Sequence, residues 1–154
     1  MWDTLRSPIK LLSSLQTHSS DQSYTYDRLY RNLYNPSLFM LAYQNIYASP
    51  GNMTKGGGGN AIDAMSLNRI EGIIARLKDE SYQPKPSRRT YIPKKNGKKR
   101  PLGIPSFDDK LVQECVRLLL EAIYESSFAK TSHGFRPNHS CHTALSQVQV
   151  SNGL

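Results

Sequence analysis

The run that begins at Ser106 and lasts until the chain turns irregular at Ser126 is the strongest constraint on the fold. Leu111, Cys115, Leu118 and Ala122 recur at helical spacing, and Val112, Val116, Leu119 and Ile123 form a second row beside them. Steps of three and four residues put both rows on one side of an α-helix as a single wide apolar stripe. A helix with so wide a stripe is expected to be the central strut of the core. Ser106 followed three residues later by Asp109 resembles a capping box. Asp108 and Asp109 also complement the positive end of the helix dipole.

Shorter helical signals surround this strut. A helix is expected over Tyr26–Leu33, ending near Asn35-Pro36, which then serve as N-cap and first-turn proline for a second helix to about Tyr47. Its apolar face is Phe39, Ala42, Tyr43 and Ile46. Ser66 caps a helix over Leu67–Lys78, with Leu67, Ile70, Ile73, Ile74 and Leu77 pointing inward and Gly72 weakening it modestly. Residues 1–25 are expected to be a flexible arm. Trp2, Leu5, Ile9 and Leu12 have helix-like spacing there, but Pro8 permits only a short helix after it. A last amphipathic stretch, Thr143–Val150, stops without a cap, so 146–154 reads as a cut helix end. The four consecutive glycines Gly56–Gly59 mark a loop. They match no G-x-x-x-x-G-K-[ST] phosphate cradle, and no apolar strand leads into them.

Between the helices of 67–78 and 106–124 lies KPSRRTYIPKKNGKKR, Lys85–Arg100, with eight Lys or Arg residues and no acid. The chain's net charge is +8, so this one segment accounts for all of it. Asn96-Gly97 between extended runs signals a tight β-hairpin turn. Strands are expected near Arg88–Pro93 and Arg100–Pro105, with Tyr91 on the side opposite Thr90 and Ile92. Pro93, Pro101 and Pro105 cannot donate ladder hydrogen bonds, which confines the strands to a sheet edge. Charge this concentrated is the footprint of phosphate binding, and the segment reads as a basic hairpin that grips nucleic acid. The plain alternative is a set of solvated charges that keep an edge strand from aggregating.

A length of 154 residues fits one domain with a modest core. No run approaches the ~18 apolar residues of a transmembrane helix. Arg6, Lys10 and several serines give the N-terminus some presequence character, which Asp3 and Pro8 interrupt. Cys115 and Cys141 are too few and too scattered for a disulfide framework, which suits a reducing, cytoplasm-like compartment. His133, His139, Cys141 and His142 lie close together, yet H-x-C-H fits no standard zinc pattern.

Three segments in order, RLYRNLYNPSLFMLAYQNIY, LKDESYQPKPSRRTYIPKKNGKKRPLGIPSFDDKLVQE and SHGFRPNHSCHTAL, resemble group II intron-encoded reverse transcriptases, also called maturases. They run from about Arg28 to Leu145, and AYQNIY is most similar to the mitochondrial-like subgroup. The resemblance implies an α+β fold, with helices packed on a small antiparallel hairpin in the fingers subdomain of a right-hand polymerase. It divides the chain into an N-terminal extension with the Gly-rich loop, 26–80, and the first two polymerase core blocks, 81–145. The partners it implies are group II intron RNA and, for the full-length enzyme, template RNA and primer DNA. It implies no membrane, and it leaves a homodimer open.

By the same resemblance, Lys94 and Arg100 are the fingers cations that reach the triphosphate of an incoming nucleotide. Arg88, Arg89, Lys95, Lys98 and Lys99 are RNA-backbone contacts. Phe135 and Arg136 stack on and anchor the template, with a packing role for Phe135 as the alternative. The family's catalytic aspartates, which hold Mg²⁺ in the full-length enzyme, are expected beyond this chain, because no Y-x-D-D occurs and Asp108 and Asp109 read as caps. No catalytic or metal-holding residue is therefore expected here. His139 stands where the family usually has a basic residue, and Gly56–Gly59 and Ala64 depart from its usual polar loop. The rival reading is a free-standing basic nucleic-acid-binding module.

Overall fold

The computed structural model describes residues 7–21, 23–48 and 65–151. The Gly-rich loop lies outside the described residues. Among the described residues, five α-helices and one two-stranded antiparallel sheet follow in the order α1 (Pro8–Thr17), α2 (Pro36–Ala48), α3 (Leu67–Lys78), β1 (Arg88–Pro93), β2 (Lys99–Ile104), α4 (Phe107–Tyr124) and α5 (Cys141–Ser151). The class is α+β, as expected.

Local rules set most of these boundaries. Ser66 accepts a hydrogen bond from Arg69 N at the start of α3, and Ser106 accepts one from Asp109 N at the start of α4. Asn35 Oδ1 accepts from Ser37 N at 3.0 Å, so Asn35-Pro36 opens α2 as expected. The expected helix over Tyr26–Leu33 is instead a 3₁₀ turn over Leu29–Tyr34. Arg28, with φ of 56°, breaks the run at its start, and the residue before Pro36 is forced out of helical geometry at its end. The final helix begins two residues earlier than expected. Ser140 and Thr143 cap it reciprocally through Thr143 N–Ser140 Oγ at 3.3 Å and Ser140 N–Thr143 Oγ1 at 2.9 Å.

One buried cluster joins α1, the 3₁₀ turn, α2, α3 and α4. Phe39, Leu38, Ile70, Ile73, Leu111 and Cys115 are its largest fully enclosed members. Helix α4 is its central strut and packs against α1, α2 and the 3₁₀ turn. Burial raises the Cys115 thiol pKa far above its ordinary value, which makes it an inert core residue. Two expectations change. Within the stretch expected as a flexible arm, α1 rests on the bundle through buried Leu11, with Leu12 and Leu15 partly covered. Leu67 is 52% exposed, because as the first residue of α3 it overhangs the rungs that Ile70, Ile73, Ile74 and Leu77 bury.

Helices α1 to α4 bury their faces on one another rather than on the sheet, while Leu145, Val148 and Val150 of α5 stay exposed. Of the hairpin only Ile104 is buried, and Tyr91, Ile92 and Leu102 remain exposed. Two strands alone are marginal in water, so the position of this hairpin depends on how its base is attached.

Two carboxylates in the strut link this fold to pH. Burial pushes the Asp109 pKa up, but hydrogen bonds from Ser106, Tyr82 and Lys85 N outweigh it and hold the carboxyl below its ordinary value. Glu114 is lowered in the same way by Arg117 and Asn45 against its own burial. A carboxyl depressed on folding adds stability above its unfolded pKa and loses it as pH falls through the folded one. The urea midpoint is therefore expected to be flat from neutral pH to about 5 and to fall steeply below about 4. Asp109→Asn should remove part of that slope, and urea titrations across pH check it.

Candidate nucleic-acid interface

Strand pairing aligns Arg88 with Ile104, Thr90 with Leu102, Ile92 with Arg100 and Pro93 with Lys99. The turn differs from the tight Asn96-Gly97 connection. Gly97 N donates to Lys94 O at 3.0 Å, and Lys94 N donates to Lys98 O at 2.7 Å. These bonds close a three-residue loop, Lys95–Gly97, in which Gly97 supplies a left-handed φ of 75°. Asn96 Oδ1 accepts from Lys98 N at 3.2 Å and stiffens the tip.

Alternation along this register sorts the cations. Arg88, Arg100 and, across the closing pair, Lys94 and Lys98 share the face of Thr90, Ile92 and Leu102. Arg89 and Lys99 lie on the opposite face with Tyr91. Lys94 and Arg100, the two cations expected to reach a nucleotide, share a face. The cations grouped as RNA contacts do not: Arg88 and Lys98 stand on the Arg100 side.

All of the hairpin's Lys and Arg side chains are exposed, and among the described residues none forms an ion pair with an acid. The acids pair elsewhere, as in Arg69–Asp108 at 2.7 Å and Arg136–Glu125 at 2.8 Å. Uncompensated like charge on a marginal hairpin repels itself, and a polyanion relieves that repulsion.

The base of the hairpin converges on the start of α4. Asp109 is 4% exposed. Its Oδ1 accepts from Tyr82 Oη at 2.6 Å, and its Oδ2 accepts from Lys85 N at 3.1 Å and from Ser106 Oγ. Burial, followed by the bond to Asp109, drives the Tyr82 pKa well above that of an ordinary phenol. Asp108 beside it accepts from Arg69 of α3. The cap signal was legible in the sequence. The attachment of Tyr82 and Lys85 was not, because no local pattern announces a partner more than twenty residues away. With these oxygens engaged, Asp108 and Asp109 do not suit a Mg²⁺ ion, and no group of described residues has the donor set to hold a metal.

The loop after α4 treats its two expected template residues differently. Phe135 is fully exposed on a left-handed backbone with φ of 58°, so the packing role does not hold for it. It borders an open groove of about 660 Å³ beside Leu120, Tyr124 and Phe128. Arg136, expected to anchor the template, is engaged within the fold. Its side chain is 12% exposed, and all of its donors bond to Glu125 Oε1 and to the carbonyls of Glu125, Ala129 and Ser132. It stacks over Phe128 and staples its own loop. His133 bonds to Thr143 and Gln147 and ties the loop to α5. His139 faces the Pro137 carbonyl at 2.8 Å.

A helical bundle that presents a basic hairpin with no acidic partner among the described residues offers a surface whose charge suits phosphate. Comparison with known proteins is more specific. No family model matches the chain. It is 49% identical over 142 residues to the group II intron-encoded protein LtrA of Lactococcus lactis subsp. cremoris, covering 92% of this chain and 23% of that protein. It is 48% identical over 123 residues to a 91 kDa protein in the cob intron of Schizosaccharomyces pombe, covering 77% of this chain and 15% of that one. A shorter match, 44% over 43 residues, links 28% of it to 6% of the mitochondrial nuclear intron maturase 2 of Arabidopsis thaliana. The chain belongs to the group II intron-encoded reverse transcriptase and maturase family and matches the N-terminal part of these proteins. It spans less than a quarter of LtrA's length. No helix among the described residues is long and apolar enough to cross a membrane.

Proposed function

We propose that this chain is the RNA-binding fingers region of a group II intron reverse transcriptase and maturase. In the complete protein it grips intron RNA to support splicing and takes part in copying RNA into DNA for retrohoming, from template RNA and primer DNA. The observation that carries this reading is the basic hairpin, exposed and without acidic partners among the described residues, in a chain whose relatives are intron-encoded. The matches give no support to a free-standing module. Mg²⁺ belongs, in this reading, to carboxylates outside the described residues.

Within the hairpin, Arg89 and Lys99 on the Tyr91 face meet the RNA backbone. Lys94 and Arg100 on the other face meet nucleotide triphosphate, where Arg supplies a bidentate fork and Lys a mobile point charge. Arg88, Lys95 and Lys98 add phosphate contacts at the base and tip.

Two double variants that remove the same charge from opposite faces test this. Arg89→Ala with Lys99→Ala is expected to weaken binding of a folded group II intron RNA roughly 10- to 50-fold and to reduce the salt slope by about two. Lys94→Ala with Arg100→Ala should leave RNA affinity within about threefold. Equal losses in a filter-binding titration would make the hairpin one undifferentiated patch. No loss in either variant would sink the RNA-binding reading.

A further inference from the structure

We propose that Asp109 is a positioning residue whose carboxylate sets the pose of the basic hairpin. The inference rests on the RNA-binding reading above and adds a residue that carries no positive charge and touches no ligand. Both legs of the hairpin meet at this one group. The entering leg, which has no regular structure between Ser81 and Ser87, is fixed through Tyr82 Oη at 2.6 Å and Lys85 N at 3.1 Å. The leaving leg is fixed through Ser106, which both donates to the carboxylate and accepts from Asp109 N at 3.2 Å. Asp109 itself belongs to α4, so the clamp refers the hairpin directly to the strut of the core.

The other anchors are few. Ile104 is the hairpin's one buried side chain, and Tyr82, well upstream of the strands, also donates its N–H to Arg76 O at 3.0 Å, packs at the edge of the core and lies beneath the Arg76 guanidinium at 5.3 Å. A six-residue strand at ~3.3 Å per residue makes an arm of about 20 Å, so ten degrees of slack at the base moves the tip by roughly 3–4 Å. That exceeds the whole length of a charge-assisted contact to phosphate, about 2.7–2.9 Å. Loss of the clamp therefore weakens RNA binding with every cation still present.

The test uses spin labels at Lys95→Cys in the tip and Gln113→Cys in α4, in a Cys141→Ser background, and reads the distance distribution by pulsed electron resonance. The parent should give one narrow distribution. Asp109→Asn should at least double its width, and Tyr82→Phe should broaden it less, with helical circular dichroism retained. If Asp109→Asn unfolds, Tyr82→Phe carries the test. In unlabelled protein both variants should bind a folded group II intron RNA roughly 5- to 20-fold more weakly with an unchanged salt slope, because no phosphate contact has lost its charge. Distributions as narrow as the parent's would overturn the clamp. Broadening with RNA affinity intact would overturn the positioning role. A parent that does not bind the RNA would overturn the functional reading instead, and the clamp would then stand or fall on the distances alone.

Discussion

Raising salt from about 50 to about 200 mM is expected to weaken binding of this chain to intron RNA by roughly 10²- to 10³-fold. The reasoning starts from counterions. Each phosphate neutralised by a Lys or Arg releases part of a condensed cation, so affinity falls as a power of salt concentration. A hairpin with two cationic faces and a tip can engage about five phosphates at once. Five contacts give a logarithmic slope of about −4.5 with the duplex coefficient and about −3.5 with the single-strand coefficient. Over a fourfold salt change those slopes span the stated range. The cations have no acidic partners within the described protein, so no internal ion pair has to break first. A fluorescence-anisotropy titration at four salt concentrations checks this. Salt-independent binding, or none at the lowest salt, would defeat the idea of a basic hairpin that grips RNA.

The second large effect concerns the core. Phe39→Ala is expected to cost about 3–5 kcal/mol of folding stability, whereas Phe135→Ala should change it by less than about 0.5 kcal/mol. Phe39 is fully enclosed on α2 among the side chains of the shared cluster. Truncation there removes the ring's transfer energy and leaves a cavity that α3 and α4 can fill only by moving. Phe135 is fully solvated, so its removal takes nothing out of the core. With total stability on the order of 5–15 kcal/mol, the first variant is marginal and the second is not. Urea unfolding followed by circular dichroism measures both. A loss below about 1 kcal/mol for Phe39→Ala would mean that the helices do not pack as described. The same pair also separates function from folding, because Phe135→Ala can be assayed for RNA binding in a fully folded protein.

The local signals were legible in the sequence because each reaches only a few residues. Asn35-Pro36, Ser66 and Ser106 set helix starts through hydrogen bonds within the first turn. Gly97 fixed where the hairpin reverses, although the loop proved one residue longer than the dipeptide implied. The inward rows of α3 and α4 followed from helical period, apart from Leu67, whose exposure depends on where its neighbours end. The amino-acid order also concentrated the charge on one segment and carried the motifs of the family, which alignment with LtrA supports.

Only the tertiary structure decided what those elements do to one another. Periodicity says that a face is apolar but not what covers it. Nothing local distinguished a flexible arm from α1 lying on the bundle, or a hairpin beneath the helices from one standing off them. Asp109 looked like a cap and is one. Its partners Tyr82 and Lys85 lie 27 and 24 residues back, and no short pattern encodes contacts at that range. Arg136 has the chemistry of a ligand contact, and in the fold its donors go to Glu125 and three carbonyls. A side chain's chemistry is written in the sequence. Whether that chemistry is spent inside the fold or left for a partner is settled by which distant groups folding brings within hydrogen-bonding reach.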